Sequence, residues 1–255
     1  VTRDQRLNMF KVGIIAKYWN EPHLLPQRLS MLQSLSVDHI FLLNDGSTDN
    51  SNLLCEQYTH PTAKIHTVNS EYPHENYFEE TWAESEKINT HLTLAYNTGC
   101  DWVIHLDIDE FPSIPMTQFI NYELRTIPPN FGIYFPIMDM VSSTHFLVKN
   151  EATGFNHYPC PHLKAFGKHS EYRRVVDGLN LDQGVEGGTK YIMTSIPYLH
   201  MKYAFKHRRW ERKLPLGGTN FQPPLTGFIG NVGSEIMPFA LEKWYKEFHE
   251  PAEIW

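Results

Sequence analysis

Cysteine is scarce in this 255-residue chain: Cys55, Cys100 and Cys160 are the only three, and no CxxC pair occurs. An odd, widely spaced set argues against a disulfide framework and against a cysteine zinc site, and fits a reduced compartment with buried thiols. Positive charge is also short, since 22 Lys and Arg against 29 Asp and Glu give a net charge of −7. Nucleic-acid binding, which needs a basic face, is thereby disfavoured. No apolar run approaches the roughly 20 residues of a membrane span. The longest, Phe131 to Val141, is broken by Pro136 and Asp139. There is no internal repeat, no low-complexity tract, no signal-peptide pattern and no GxSxG of a serine hydrolase. These absences set the expectation of a soluble, cytoplasmic protein with no transmembrane segment.

What is present is core-forming material. Hydrophobic residues make up 41% of the chain and charged residues 20%, which excludes disorder as the overall state. The first half alternates strand and helix signals. Lys11–Ala16, His39–Leu43, Lys64–Val68 and Trp102–Leu106 read as strands. Helices are expected over Pro22–Leu35, with apolar spacing at Leu24, Leu25, Leu29 and Leu32, from Asp49 to about Tyr58, and over Asn76–Asn97, ending at Gly99. This alternation predicts an α/β fold with a mostly parallel sheet covered on both faces. The second half is less regular. Gly132–Ile137, Tyr191–Met193 and Pro197–Met201 read as strands, Ala204–Lys213 and Glu235–His249 as helices, and Asn150–Gly188 and Leu214–Gly233 as loops. No linker divides the chain, so residues 1–255 are read as one domain.

Ligands of such sheets sit beyond the carboxyl ends of the strands. That rule selects Lys17–Glu21, Asn44–Asp49 and Asp107–Glu110. The last is the most informative. An apolar strand delivers three carboxylates, and Asp107 and Asp109, two residues apart, would share a face if the chain stayed extended. Acids so close repel one another unless a cation or hydrogen bonds offset them, and Mg²⁺ or Mn²⁺ suits carboxylate oxygens. On spacing alone the same run also reads as a helix cap with an acidic first turn. In Asn44–Ser51, Asp45-Gly46 makes a tight turn and Asp45 could accept hydrogen bonds from a ribose or a base edge; plain turn-and-cap chemistry is the other reading.

Three segments together resemble a known family. Val37–Ser51, VDHIFLLNDGSTDNS, resembles the nucleotide-binding signature of family-2-like glycosyltransferases with the GT-A fold. Asp101–Phe111, DWVIHLDIDEF, resembles their DxD signature, and Ala16–Leu25, AKYWNEPHLL, is similar to the Asn-Glu segment after their first strand. The order and spacing of all three match over residues 11–111. The likeness weakens over 112–213 and is absent beyond.

The resemblance implies a GT-A (Rossmann-like) fold, a nucleotide-diphospho-sugar donor, a hydroxyl acceptor such as a glycan, and Mn²⁺ or Mg²⁺. It implies that residues 1–111 bind the nucleotide sugar, that 112–213 carry the acceptor and catalytic half, and that 214–255 form a C-terminal loop and helix. Carried over residue by residue, Asn20 and Glu21 would line the nucleotide pocket and Asp45 would contact the nucleoside. Asp107 would lie near the ribose or the metal, and Asp109 would bind the metal. The family often has Asp where this chain has Asn44. In Tyr198–Lys202, His200 is the third metal-ligand candidate and Lys202 a diphosphate contact. An inverting transfer, the default for such enzymes, needs a base to deprotonate the acceptor. Asp139, an acid in the apolar stretch FPIMDMV, and Asp182 and Glu186, in LDQGVEGG, are the candidates. The basic cluster Lys206–Arg209 with Arg212 and Lys213 could bind the diphosphate, an anionic acceptor or a membrane surface in peripheral contact. Two rival readings are a nucleotidyltransferase and a non-catalytic carbohydrate-binding or scaffold protein on a transferase-like fold. The first rival wants a Gly-rich basic loop after the first strand, where this chain has KYWNEPHLL. The second sits poorly with intact Asp45, Asp107 and Asp109. His157, Cys160, His162 and His169 match no zinc spacing.

Overall fold

A computed structural model describes residues 9–22, 24–69, 81–140, 145–150, 155–156, 161–170, 191–201 and 235–238. Over 81–86, 145–150, 155–156 and 235–238 the description covers the backbone alone. Four strands form a parallel core: β1 (Val12–Tyr18), β2 (His39–Asn44), β3 (Lys64–Asn69) and β4 (Trp102–Asp107), in the order β3-β2-β1-β4. Their connections carry helices α1 (Leu25–Leu32), α2 (Ser51–Glu56) and α3 (Thr81–Asn97), as crossovers between parallel strands require.

The sequence explains why both faces are covered. Val12, Ile14 and Ala16 of β1 join one core cluster with Leu25, Leu29 and Leu32 of α1, spaced by four and three residues. Ile15 points to the other face and joins Ile88, Leu92 and Ala95 of α3. Strands buried on both sides read as continuous apolar runs. Helix α3 stops at Gly99, whose φ of 95° is the left-handed conformation that glycine adopts without strain. The expected strands and helices of this half are all present, with ends moved by a few residues. The expected helix start at Asn76 lies outside the described residues.

The second half extends the sheet in mixed fashion. After the short β5 (Glu110–Pro112), the helix α4 (Ile114–Gln118) and two further helical turns lead into β6 (Gly132–Met140). Among the described residues the sheet has 12 strands: eight follow the path β12-β7-β6-β9-β4-β1-β2-β3, and β5, β8, β10 and β11 pair beside it. Here β7 is His145–Asn150, β8 is Phe155–Asn156, β9 is Pro161–Gly167, β10 is Tyr191–Met193, β11 is Tyr198–His200 and β12 is Glu235–Pro238.

Two expectations are corrected here. Part of the segment read as loops, Pro161–Gly167, is a strand lying between β4 and β6 and antiparallel to both. The start of the expected C-terminal helix, Glu235–Pro238, is a strand paired antiparallel with β7. The expected helix over 204–213 lies outside the described residues. Strand β11 matters most for the site. It runs parallel to β6 and antiparallel to β5, so that His200 stands beside Asp139 on one side and Glu110 on the other.

Candidate functional site

The carboxyl ends of β1, β2 and β4 lie side by side, with Lys17 in register with both Leu43 and Asp107 and Tyr18 in register with Asn44. The three segments selected from the sequence therefore meet at one edge of the sheet. After β1 the chain turns through Asn20, a non-glycine residue at φ 47°. Asn tolerates this region because its short side chain bonds locally. Asn20 Oδ1 accepts the Thr48 backbone N–H at 2.8 Å, and Asn20 N–H donates to Ser47 Oγ at 3.1 Å. Glu21 N–H donates to Ser51 Oγ at 3.0 Å. The first two segments are thus stitched into one rim.

Asn44, where the resembled family often has Asp, is structural here. Its Oδ1 accepts from Ser47 N–H at 2.8 Å and its Nδ2 donates to Asn69 Oδ1 at 3.1 Å. Gly46 turns the chain at φ 86°. Asp49 Oδ1 accepts from Ser51 N–H at 2.8 Å just ahead of α2. Asp45 is buried, its backbone N–H on the Tyr18 carbonyl, and its carboxylate is ion-paired with Lys87 of α3 at 3.0 Å.

The acidic run after β4 neither caps a helix nor stays extended. The chain turns at Ile108–Asp109 and continues as β5, so no helix is capped and no extended face is shared. Its three carboxylates point to different partners. Asp107 faces Lys17, with Nζ to Oδ1 at 3.8 Å. Burial raises its pKa, but Lys17, His105 and Lys164 outweigh that and hold it down at about 2. Glu110 is buried and bound at both oxygens by Lys164 of β9, at 2.7 and 2.8 Å. The same carboxylate accepts the Asp107 N–H at 2.9 Å, and the Glu110 carbonyl accepts from the buried Arg28 guanidinium. Glu110 therefore clips the turn that carries the two aspartates and is not free to bind an ion.

Asp109 turns toward β11. Its carbonyl accepts the Met201 N–H at 2.7 Å, and its Oδ2 lies 3.2 Å from His200 Nε2. The other ring nitrogen, Nδ1, lies 2.6 Å from Asp139 Oδ1 at the end of β6. Burial lowers the pKa of the His200 imidazole, but Asp109 and Asp139 more than offset this and push it up to about 10. The metal-free ring is a cation between two carboxylates. A divalent ion fits this pair. Two donors at about 2.1 Å and at right angles around an octahedral ion lie about 3 Å apart, close to the observed 3.2 Å. Among the described residues no group of three or more His, Cys, Asp and Glu surrounds one ion position. Mg²⁺-type sites commonly use one or two protein ligands and complete their shell with water and phosphate oxygens.

Two buried histidines lie near the rim. Burial depresses His91 of α3 to about 4 and His105 of β4 to about 3, so both are neutral at pH 7. Neither ring nitrogen of His105 has a hydrogen-bond partner among the described residues. Of the residues selected from sequence, Asn20, Glu21, Asp45, Asp107, Asp109, Asp139 and His200 are described; Asp182, Glu186, Lys202 and the basic cluster lie outside the described residues. Sequence reading missed the cations that hold the acids, Lys87, Lys164 and Arg28. A signal existed for Lys164: it sits in the apolar stretch LKAF, and a buried ammonium is costly unless paired.

No family model matches the sequence, and no curated protein is similar to it. Among solved structures, the crystal structure of S. aureus TarS is similar at TM-score 0.44 and 12% identity, over 75% of this chain and 37% of that one. Glucosyl-3-phosphoglycerate synthase from Mycobacterium tuberculosis, in complex with Mn²⁺, UDP and glucosyl-3-phosphoglycerate, is similar at TM-score 0.33 and 17% identity, over 51% of this chain and 44% of that one. The same enzyme with Mg²⁺ and UDP gives TM-score 0.32 and 17% identity, over 51% and 44%. The chain spans less than half the length of either protein. Likenesses of this degree carry no argument about what the chain binds; its own residues must supply that.

Proposed function

We propose that this chain is a metal-dependent glycosyltransferase that moves a sugar from a nucleotide-diphospho-sugar to a hydroxyl acceptor such as a glycan. One observation carries the reading. Asn20–Glu21, Asp45 and Asp107–Asp109, from three separate strand ends, converge on one sheet edge, and β11 brings His200 within 3.2 Å of Asp109. Ligands of open α/β sheets bind at this edge.

In this reading Asp109 and His200 hold a Mn²⁺ or Mg²⁺ ion, with Asp107 beside it toward the ribose. When bound, the ion would neutralise charge developing on the diphosphate leaving group. Asn20 and Glu21 would line the nucleotide pocket, and Asp45 would contact the nucleoside, with Lys87 balancing its charge. Glu110, Lys164 and Arg28 keep the turn at Ile108–Asp109 in one shape, which pre-orients the carboxylates. Lys202 follows His200 by two residues and is assigned to the diphosphate. Inversion of the anomeric centre requires a carboxylate base on the acceptor hydroxyl, for which Asp139, Asp182 and Glu186 are the candidates.

The test is a thermal-shift panel of nucleoside diphosphates and nucleotide sugars, each with and without Mn²⁺. A ligand at about 100 times its Kd raises stability by about 2.7 kcal/mol. A Mn²⁺-dependent shift with one nucleotide, lost in Asp109→Ala, supports the reading and names the base of the donor. No response across the panel overturns it and favours the scaffold alternative.

A further inference from the structure

Asp139 is a candidate base because an acid within an apolar strand must be paired or functional. The structure shows what it is paired with. Asp139 and His200 are direct partners in the parallel pairing of β6 with β11. Asp139 is 7% exposed, and its Oδ1 lies 2.6 Å from His200 Nδ1. On the far side of the same ring, Nε2 faces Asp109 Oδ2 at 3.2 Å. The imidazole is held edge-on between the two carboxylates, one at each nitrogen.

We propose that Asp139 is the positioning residue for the metal ligand His200, and not the base that deprotonates the acceptor. This inference rests on the reading of Asp109 and His200 as the metal pair. An ion at Nε2 takes the lone pair of that nitrogen, so the ring hydrogen must stay on Nδ1, and Asp139 is the acceptor placed to receive it. A carboxylate behind a ligating imidazole fixes the ring's rotation and tautomer and makes Nε2 a stronger donor. The architecture suits that task. Strand β6 is flanked by β11 on one side and β7 on the other at this position, so the Asp139 backbone cannot drift. Strand β11 is anchored in turn by the fully buried Tyr198 and Leu199 and by the Met201 N–H on the Asp109 carbonyl. A general base has different needs. It must present an oxygen to an acceptor hydroxyl, whereas Asp139 is buried and turns its Oδ1 to the His200 ring. The base then falls to the remaining candidates, Asp182 and Glu186.

The two roles separate in a Mn²⁺ titration of the protein without nucleotide, read by the electron paramagnetic resonance of free Mn²⁺. Asp139→Ala is expected to weaken Mn²⁺ binding by about 10- to 100-fold, the usual cost of losing such a partner. Asp139→Asn keeps an oxygen to accept the Nδ1 hydrogen in a side chain of the same shape. It is expected to fold as the wild type does by thermal melting and to bind Mn²⁺ with an affinity between the two. Unchanged Mn²⁺ affinity in both variants, with turnover lost in both, would overturn the proposal and return Asp139 to the role of base. A wild-type protein that takes up no Mn²⁺ would overturn the metal pair itself, a different failure recognisable without any variant.

Discussion

At the scale of single residues, the site is built from acids that the fold has provided with individual cations. Lys17, Lys87 and Lys164 pair with Asp107, Asp45 and Glu110, and the last two pairs are buried. Removing one partner of a buried pair leaves an uncompensated charge and costs about 3–5 kcal/mol. Lys164→Met is therefore expected to lower the unfolding free energy by several kcal/mol in urea denaturation; a change below about 1 kcal/mol would show that Glu110 does not depend on Lys164. Asn20 offers a second test. Its φ of 47° is open to Gly, while its side chain caps Thr48 N–H. Asn20→Gly loses only the hydrogen bond, and Asn20→Ala adds backbone strain of about 1–2 kcal/mol. Melting temperatures should fall in the order wild type, Gly variant, Ala variant. An Ala variant as stable as the Gly variant would mean the turn relaxes. The acids themselves were legible in the sequence, because strand ends next to polar triplets mark the ligand edge. Their counter-cations were not, because Lys87 and Lys164 meet their partners across 42 and 54 residues.

At the scale of elements, the parallel core was readable because each strand is a continuous apolar run and each crossover carries helical spacing. Strands β9 and β12 were not. Pro161–Gly167 begins at a proline among His, Pro and charge, and Glu235–Pro238 precedes residues with helical spacing. What makes both into strands is pairing with β4, β6 and β7, which no local pattern announces. Helix α3 carries a pH prediction. His91 is buried and neutral, with a folded pKa near 4 against 6.5 unfolded. Above pH 6.5 neither state binds the proton and the group is silent. As pH falls from 6.5 toward 4 the unfolded chain takes up a proton that the folded chain refuses, so stability declines through that window. The slope approaches about 1.4 kcal/mol per pH unit at most for one such group. His91→Phe should lessen the decline in melting temperature between pH 6.5 and 4, leaving the share of the buried His105, while an unchanged slope would assign all of it to other groups.

At the scale of the whole molecule, the two halves of the chain meet at the site. Residues 12–107 build the parallel core and its carboxyl edge, and β6, β9 and β11 bring Asp139, Lys164 and His200 to it from the second half. Asp109 and His200 stand 91 positions apart in sequence, so their meeting reports the closing of β11 between β5 and β6. No helix among the described residues is long and apolar enough to cross a membrane. The central claim is that this edge performs metal-dependent chemistry on a nucleotide sugar. Its most direct test is the release of nucleoside diphosphate from a panel of nucleotide sugars, in Mn²⁺ and in EDTA, by the wild type and by Asp109→Asn. The account predicts release from one donor class, in Mn²⁺ only, that Asp109→Asn abolishes. Release that persists in EDTA or in Asp109→Asn, or none from any donor, would contradict it.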